Sequence, residues 1–231
     1  MPVKAKEETK HTAKAAVARK RIALIIANPN SQERTDHENA VEVGARMKDA
    51  LQNDWSFDTE LVCNASKEDM DAAIGRFITK VKENHPQPCD TLFFFFGRGT
   101  EKGGCNCLLE YNEHKEEESS GINLGKDVIN ALNGPLVRHP DSLNMLMLDA
   151  SRLEPDGELA NGTYRSATNT IDDDEQFRAA HCAVDSSQFL LMFATSPGTK
   201  AIPGLLTEEF LKALQPENTQ YHYRIDELLV T

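Results

Sequence analysis

Two residues that could take part in chemistry, Arg98 and Ser151, lie at the ends of apolar runs. Arg98 follows Thr91–Phe96 (TLFFFF), and Ser151 lies near the end of Leu143–Arg152 (LNMLMLDASR). A serine hydroxyl becomes a nucleophile only beside a general base. A guanidinium, whose pKa lies above about 12, keeps its proton at neutral pH and cannot be that base. The positions are therefore those of an active site, but the residue types do not suit one.

The apolar runs themselves predict the element that positions these residues. A short apolar run without polar alternation is typical of a strand buried on both faces of a parallel sheet. Ile22–Ala27 and Gln188–Thr195 are two further runs of this kind. In open α/β sheets, functional groups gather where the strands end. We therefore expect Arg98 and Ser151 at one edge of the sheet. The neighbours expected at this cleft are Gly97, Gly99, Asp149 and Arg152.

The segments between the runs carry helical spacing or turn residues, so strands alternate with helices. This alternation predicts the α/β class, with a mostly parallel central sheet flanked by helices. The predicted helices are Glu38–Leu51, a helix behind a Ser66–Asp69 capping box, one through Leu124 and Leu132, and one capped by Thr207 and continuing to Leu214. Asp58–Cys63 is predicted as a short strand, and Gly103–Glu110 as a hairpin turning at Gly103-Gly104.

Charge is unevenly distributed along the 231 residues. The net charge is −12, and because the first 21 residues carry +5, the remainder carries −17. Phosphate binding depends on Lys and Arg, so an acidic body argues against nucleic acid as a partner. We expect residues 1–20 to form a solvated, disordered basic tail and not a docking arm.

Cysteine usage and hydropathy indicate the environment. The five cysteines are an odd number without disulfide-framework spacing. Cys105 and Cys107 have no second pair at zinc-site spacing, so we expect them to pack as ordinary side chains, and we expect no metal or cofactor. No apolar stretch approaches the ~20 residues that span a bilayer, and the N-terminus lacks the apolar core of a signal peptide. These features predict a cytoplasmic protein without a membrane partner.

Four segments in order resemble the caspase-like cysteine proteases, which include caspases, metacaspases and paracaspases. RIALIIANPN resembles the first strand of that family, and QFLLMFATSPGTKA resembles the opening strand of its small subunit. TLFFFFGRGT resembles the strand that ends in Gly-His-Gly, where the His is the catalytic base. LNMLMLDASR resembles the strand that ends in Asp-Ala-Cys-Arg, where the Cys is the nucleophile. The resemblance implies a caspase-like fold over nearly the whole chain.

Both catalytic positions of the family pattern are replaced, because Arg98 stands for the His and Ser151 for the Cys. The resemblance therefore implies a catalytically inactive pseudoprotease. Alternatives remain open: a peptidase that uses Ser151 with a base such as His139 or His181, or a displaced Cys182–His181 pair. Arg98 has two interpretations, a surface cation or a cation that holds a carboxylate, for example from Asp172–Asp174.

These observations lead to one division of the chain and one functional hypothesis. After the tail, residues 21–231 form one domain, with a large-subunit-like part (21–152), a solvated acidic linker (153–187) and a small-subunit-like part (188–231). We expect a monomer that regulates or scaffolds a protein partner, either an active protease, its substrate or an adaptor. A structural module of a larger assembly is the alternative that involves neither catalysis nor regulation.

Overall fold

A computed structural model of the chain describes residues 19–28, 34–102, 105–111, 121–152 and 188–215, with the backbone alone for 34–40. In these residues, eight strands form two sheets. The strands are β1 (Lys20–Asn28), β2 (Asp58–Cys63), β3 (Cys89–Gly97), β4 (Gly99–Lys102), β5 (Cys105–Leu109), β6 (Gly121–Asn123), β7 (Leu143–Ala150) and β8 (Gln188–Phe193).

The larger sheet has the order β2-β1-β3-β7-β8, and every neighbouring pair in it is parallel. The smaller sheet is antiparallel, with the order β4-β5-β6. The helices are α1 (Arg34–Asn53), α2 (Lys67–Asn84), a π-helical segment (Leu124–Ile129) that continues into α3 (Asn130–Leu132), and α4 (Leu205–Leu214). The predicted α/β class with a mostly parallel, helix-flanked sheet is confirmed.

Strand alternation divides the core between the two faces of the central sheet. On β3, Phe93 and Phe95 pack against α2 and the π-helical segment, whereas Phe94 and Phe96 pack against α1 and α4. All four rings are at most 5% exposed. Because both faces are covered, the strands are apolar along their whole length, which is why they lack the polar alternation of a half-exposed sheet.

A buried polar pair fixes the register in the middle of this sheet. Thr91 on β3 lies opposite Asn144 on β7, and the Thr91 hydroxyl donates to Asn144 Oδ1 at 2.8 Å. Both residues are at most 3% exposed. A shift by one residue would separate this pair and turn every side chain of the strand to the opposite face. The register therefore depends on this pair as well as on apolar packing.

Several predicted elements are confirmed with small shifts at their ends. Strand β2 has the predicted bounds, and the capping box of Ser66 and Asp69 begins α2 as expected. The hairpin of β4 and β5 lies around the predicted turn but begins earlier, at Gly99, because Gly99 pairs with Leu108. Residues 103 and 104 lie outside the described residues.

Two predictions differ in detail from the structure. Thr207 does not cap α4, since the helix begins at Leu205 and the Thr207 side chain turns inward. The segment after Asn123 starts as a π-helix, and strand β6 before it was not predicted.

Most of the predicted tail, the whole predicted linker and the end of the small-subunit-like part lie outside the described residues. The predicted tail reached Lys20, but Lys20 is already the first residue of β1. Residues 1–18, the acidic linker 153–187 and residues 216–231 are not described. No helix in the described ranges is both long enough and apolar enough to cross a bilayer.

The Asn28 side chain joins the end of β1 to the loop before α2. Its Oδ1 accepts the Ala65 backbone N–H at 2.8 Å, and its Nδ2 donates to the Ala65 carbonyl at 3.1 Å. Asn28 is 1% exposed. A buried backbone amide left without partners costs about 1–3 kcal/mol for each polar group.

We therefore expect Asn28→Ala to lower the free energy of unfolding by about 1–3 kcal/mol, since it leaves the Ala65 N–H unpaired, whereas the Ala65 carbonyl still accepts the Tyr111 N–H at 2.9 Å. Urea denaturation of the full chain measures the loss. Asn53→Ala, at the exposed end of α1, is the matched control and should change stability by less than about 0.5 kcal/mol. Equal losses in the two variants would contradict the assigned role of Asn28.

Candidate functional site

The structure brings Arg98 and Ser151 to the same edge of the central sheet. Strands β3 and β7 are parallel neighbours, and Gly97 lies opposite Ala150 at the end of their pairing. The next residue on each strand is therefore Arg98 or Ser151, and neighbouring strands lie about 4.8 Å apart. This edge is where α/β sheets place their functional groups.

The two glycines beside Arg98 are required by close backbone approach. A Cβ at Gly97 would clash with the Asn28 carbonyl oxygen, and a Cβ at Gly99 would lie 2.7 Å from the Ser151 carbonyl oxygen. The β4–β5 hairpin can therefore leave β3 directly across the end of β7. Gly97 and Gly99 shape the edge of the sheet.

Ser151 is held in place by the segment that follows β8. Its Oγ accepts the backbone N–H of Ala201 at 3.1 Å. Beside it, the Arg152 N–H donates to the Thr199 carbonyl at 3.0 Å, and the Gly198 N–H donates to the Arg152 carbonyl at 2.9 Å. The end of β7 and residues 198–201 therefore form one backbone-bonded unit.

Arg98 is half-buried, and its carbonyl accepts the Leu109 N–H at 2.9 Å. Within the part of the chain that the structure describes, no ion pair involves its guanidinium. The acidic stretch Asp172–Asp174, which the sequence offered as a carboxylate for Arg98, lies outside the described residues.

Arg152 is the most connected side chain at this edge. Its guanidinium forms an ion pair with Glu101 Oε2 at 2.8 Å, donates to Asn106 Oδ1 at 2.9 Å, and lies 4.3 Å from the centroid of the Phe193 ring. Arg152 is 8% exposed. It therefore joins the hairpin, the end of β7 and the end of β8 from inside the protein.

Sequence reasoning named Arg152 as a cleft neighbour but missed Glu101 and Asn106. Burial lowers the pKa of Arg152, and the negative charge of Glu101 opposes that shift. The guanidinium remains charged, because an arginine in a protein does not lose its proton. A Glu and an Asn in a short hairpin carry no sequence signal that could have identified them as its partners.

Asp149 is turned away from the open edge and toward α4. Its Oδ2 accepts the Thr207 N–H at 2.9 Å and the Thr207 hydroxyl at 2.5 Å. The α4 N-cap, Gly204, has no side chain, so Asp149 supplies the acceptor from another element. Burial raises the pKa of Asp149, and the bonds from Thr207 oppose that rise. Asp149 Oδ1 has no hydrogen-bond partner among the described residues.

Neither of the two histidines whose side chains are described lies close enough to Ser151 to act as its general base. His85 precedes β3, and His139 precedes β7 and accepts the Asp141 N–H. Both therefore lie at the amino edge of the sheet, and β7 spans roughly 25 Å between His139 and Ser151. His139 is thereby excluded as the base of a serine peptidase. His181 and Cys182 lie outside the described residues.

Burial raises the thiol pKa of three described cysteines. Two of them are Cys63 and Cys107, and the third is Cys89 at the amino end of β3, whose pKa rises to about 12. A raised pKa disfavours the thiolate that a nucleophile or a metal ligand needs. Among the described residues, no group of His, Cys, Asp and Glu could hold a metal ion.

The buried ion pair of Arg152 yields a stability prediction. Arg152→Ala should lower the free energy of unfolding by about 3 kcal/mol, because Glu101 loses its counter-ion in a site that is only 16% exposed. Arg76→Ala, which removes an exposed partner of Glu60, is the control and should leave the unfolding midpoint unchanged within error. A midpoint for Arg152→Ala equal to that of the wild type would contradict the role of Arg152 as a junction.

Asp149 yields a prediction on pH. Because its pKa is raised in the folded protein, the native state holds this proton more tightly than the unfolded chain does. Stability from this group is then complete below the unfolded pKa of about 3.9 and is lost as the pH rises through the native pKa. Urea denaturation between pH 4 and 8 should show wild type losing stability relative to Asp149→Asn as the pH rises. Parallel curves would contradict the shift.

One comparison with known proteins identifies a family for this chain. The family model of the caspase domain, Peptidase C14, matches residues 20–230. A comparison with curated proteins gives no significant match. The matched range includes both sheets, all the described helices, and the strand ends that carry Arg98 and Ser151. The chain belongs to the caspase domain family.

Proposed function

We propose that this chain is a catalytically inactive caspase-domain protein that acts by binding another protein. The observation that carries the proposal is the edge of β3 and β7, where a guanidinium and a serine hydroxyl occupy the two strand ends. Arg98 cannot accept a proton, and Ser151 Oγ already accepts the Ala201 N–H. A hydroxyl held in this way has no general base among the described side chains.

The surrounding groups support the same proposal. Arg152 and Asp149 are the ionisable neighbours of Ser151, and both are engaged inside the protein by Glu101 and Thr207. The nearby thiols of Cys63 and Cys107 have raised pKa values, which disfavours a displaced nucleophile. The peptidase alternative would need His181 or Cys182 and is supported by no observation in the described residues.

The intact fold around this edge favours a role that depends on shape. Arg152 is joined to Gly198 and Thr199 by backbone hydrogen bonds, and Ser151 Oγ accepts the Ala201 N–H, so this edge presents a fixed shape to a partner. We propose that the protein works as a monomer, because an acidic body with net charge −17 opposes self-association. The proposed partner is an active caspase-like protease, its substrate or an adaptor, in the cytoplasm.

The purified chain should not cleave fluorogenic peptides with Asp, Arg or Lys before the scissile bond, because neither a base nor a thiolate is available. Its rate should equal that of Ser151→Ala, and cysteine-directed covalent inhibitors should not label position 151. Turnover that is lost in Ser151→Ala would overturn the proposal. The double variant Arg98→His with Ser151→Cys tests the same edge, and labelling of its new thiol would show that the position is accessible.

A further inference from the structure

A groove separate from Arg98 and Ser151 lies between α1 and α4. Its volume is about 460 Å³, and its lining includes Val43 and Phe96 in the floor, with Ile202 and Leu205 at the mouth. Ile202 is 67% exposed and Leu205 is 50% exposed. The two exposed apolar side chains meet in one concave site, where an apolar group of a ligand can cover them.

The walls of the groove are fixed before anything binds. Arg46 on α1 holds Glu208 on α4 through two contacts, of 2.5 and 3.0 Å. Gly204 turns the chain into α4 with φ of +77°, and Asp149 binds the first turn of that helix through Thr207. Because both walls are held by other elements, a ligand would not need to order them.

Charges at the rim indicate the chemistry of the occupant. The two cations are already paired, Arg46 with Glu208 and Lys212 with Glu209 at 2.7 Å. Glu42 also lines the groove, and after Glu208 its charge also raises the pKa of Arg46, although the two form no ion pair. The lining therefore has three carboxylates, Glu42, Glu208 and Glu209, against these two cations, and this net negative charge lies on a body of net charge −17. A cationic ligand is favoured there, and an acidic one is repelled.

We propose that this groove docks a segment of a protein partner that combines large apolar side chains with Lys or Arg. The apolar side chains cover Ile202 and Leu205, and the cation lies beside Glu42. This proposal rests on the proposed function, because it supplies the contact surface through which a non-catalytic domain acts. It assigns binding to α1 and α4, on the face of the sheet that carries Phe96, and neither Arg98 nor Ser151 lines the groove.

Fluorescence anisotropy with three octapeptide probes tests the groove on the full chain. The probes alternate leucine with arginine, serine with arginine, and leucine with glutamate. The leucine–arginine probe should bind at least ~10-fold more tightly than the serine–arginine probe, because only the former covers the apolar mouth. The leucine–glutamate probe should not bind. Equal affinity for the two arginine probes would overturn the proposal, since it would show attraction by net charge alone.

Variants with matched controls locate the binding. Ile202→Ser with Leu205→Ser should weaken the leucine–arginine probe about 10-fold, and Glu42→Gln should weaken it about 3-fold. The controls are Leu136→Ser, an apolar residue that is 63% exposed in another loop, and Glu83→Gln, an exposed acid on α2. Both should leave the affinity unchanged. Controls that weaken the probe as much as the groove variants would overturn the proposal.

Separate measurements test whether another segment occupies the groove and whether the protein cleaves the probe. Deleting residues 1–18 should not change probe affinity, and a gain of several-fold would show that the basic tail itself occupies the groove. If the molecular mass measured by sedimentation falls when Ile202 and Leu205 are replaced, a second copy of the chain occupies the groove. Either result overturns the commitment to a partner. Mass spectrometry of the incubated probe separates the two proposals, because cleavage would refute the inactive function while leaving the binding data intact.

Discussion

The parallel pairing of β3 with β7 is the constraint on which the rest of the structure depends. Thr91 and Asn144 are buried opposite each other and joined by a hydrogen bond, and Asp90 on β3 accepts the Leu143 N–H of β7, so buried polar contacts fix the register of these two strands. With that register, Gly97 lies opposite Ala150. Every contact at the functional edge follows, because the hairpin can cross the end of β7 only if these strands end together.

The charged side chains of Arg152 and Asp149 at this edge of the sheet bind other parts of the protein. Arg152 is buried among Glu101, Asn106 and Phe193, and Asp149 is buried at the start of α4. A buried charge is tolerated only with partners, so these contacts restrict both side chains to internal roles. Ser151 and Arg98 are the remaining polar side chains at the two strand ends, and neither accepts a proton readily near neutral pH. Among the described side chains, no histidine lies at this edge.

This arrangement separates two properties of the caspase domain, its scaffold and its chemistry. The residues that hold the scaffold, among them Asn28, Arg152 and Asp149, bind other elements of the fold. Arg98 and Ser151 supply no buried charge to that scaffold, and Ser151 contributes one hydrogen bond, from the Ala201 N–H to its Oγ. The contacts of Asp149 with Thr207 that hold α4 also fix one wall of the groove between α1 and α4.

The sequence by itself determined the five strands of the central sheet, most helices, and the positions of Arg98 and Ser151 at two strand ends. An apolar run predicts burial on both faces, and the end of such a run marks the edge of the sheet, so these features are local in the sequence. The tertiary structure alone decided the partners of Arg152 and the inward turn of Asp149 and Thr207. Those outcomes depend on which elements meet across 40 or more residues, as Arg152 meets Asn106 and Asp149 meets Thr207. Spacing along the chain carries no record of such pairs, because a buried ion or hydrogen bond is selected by geometry in the folded state.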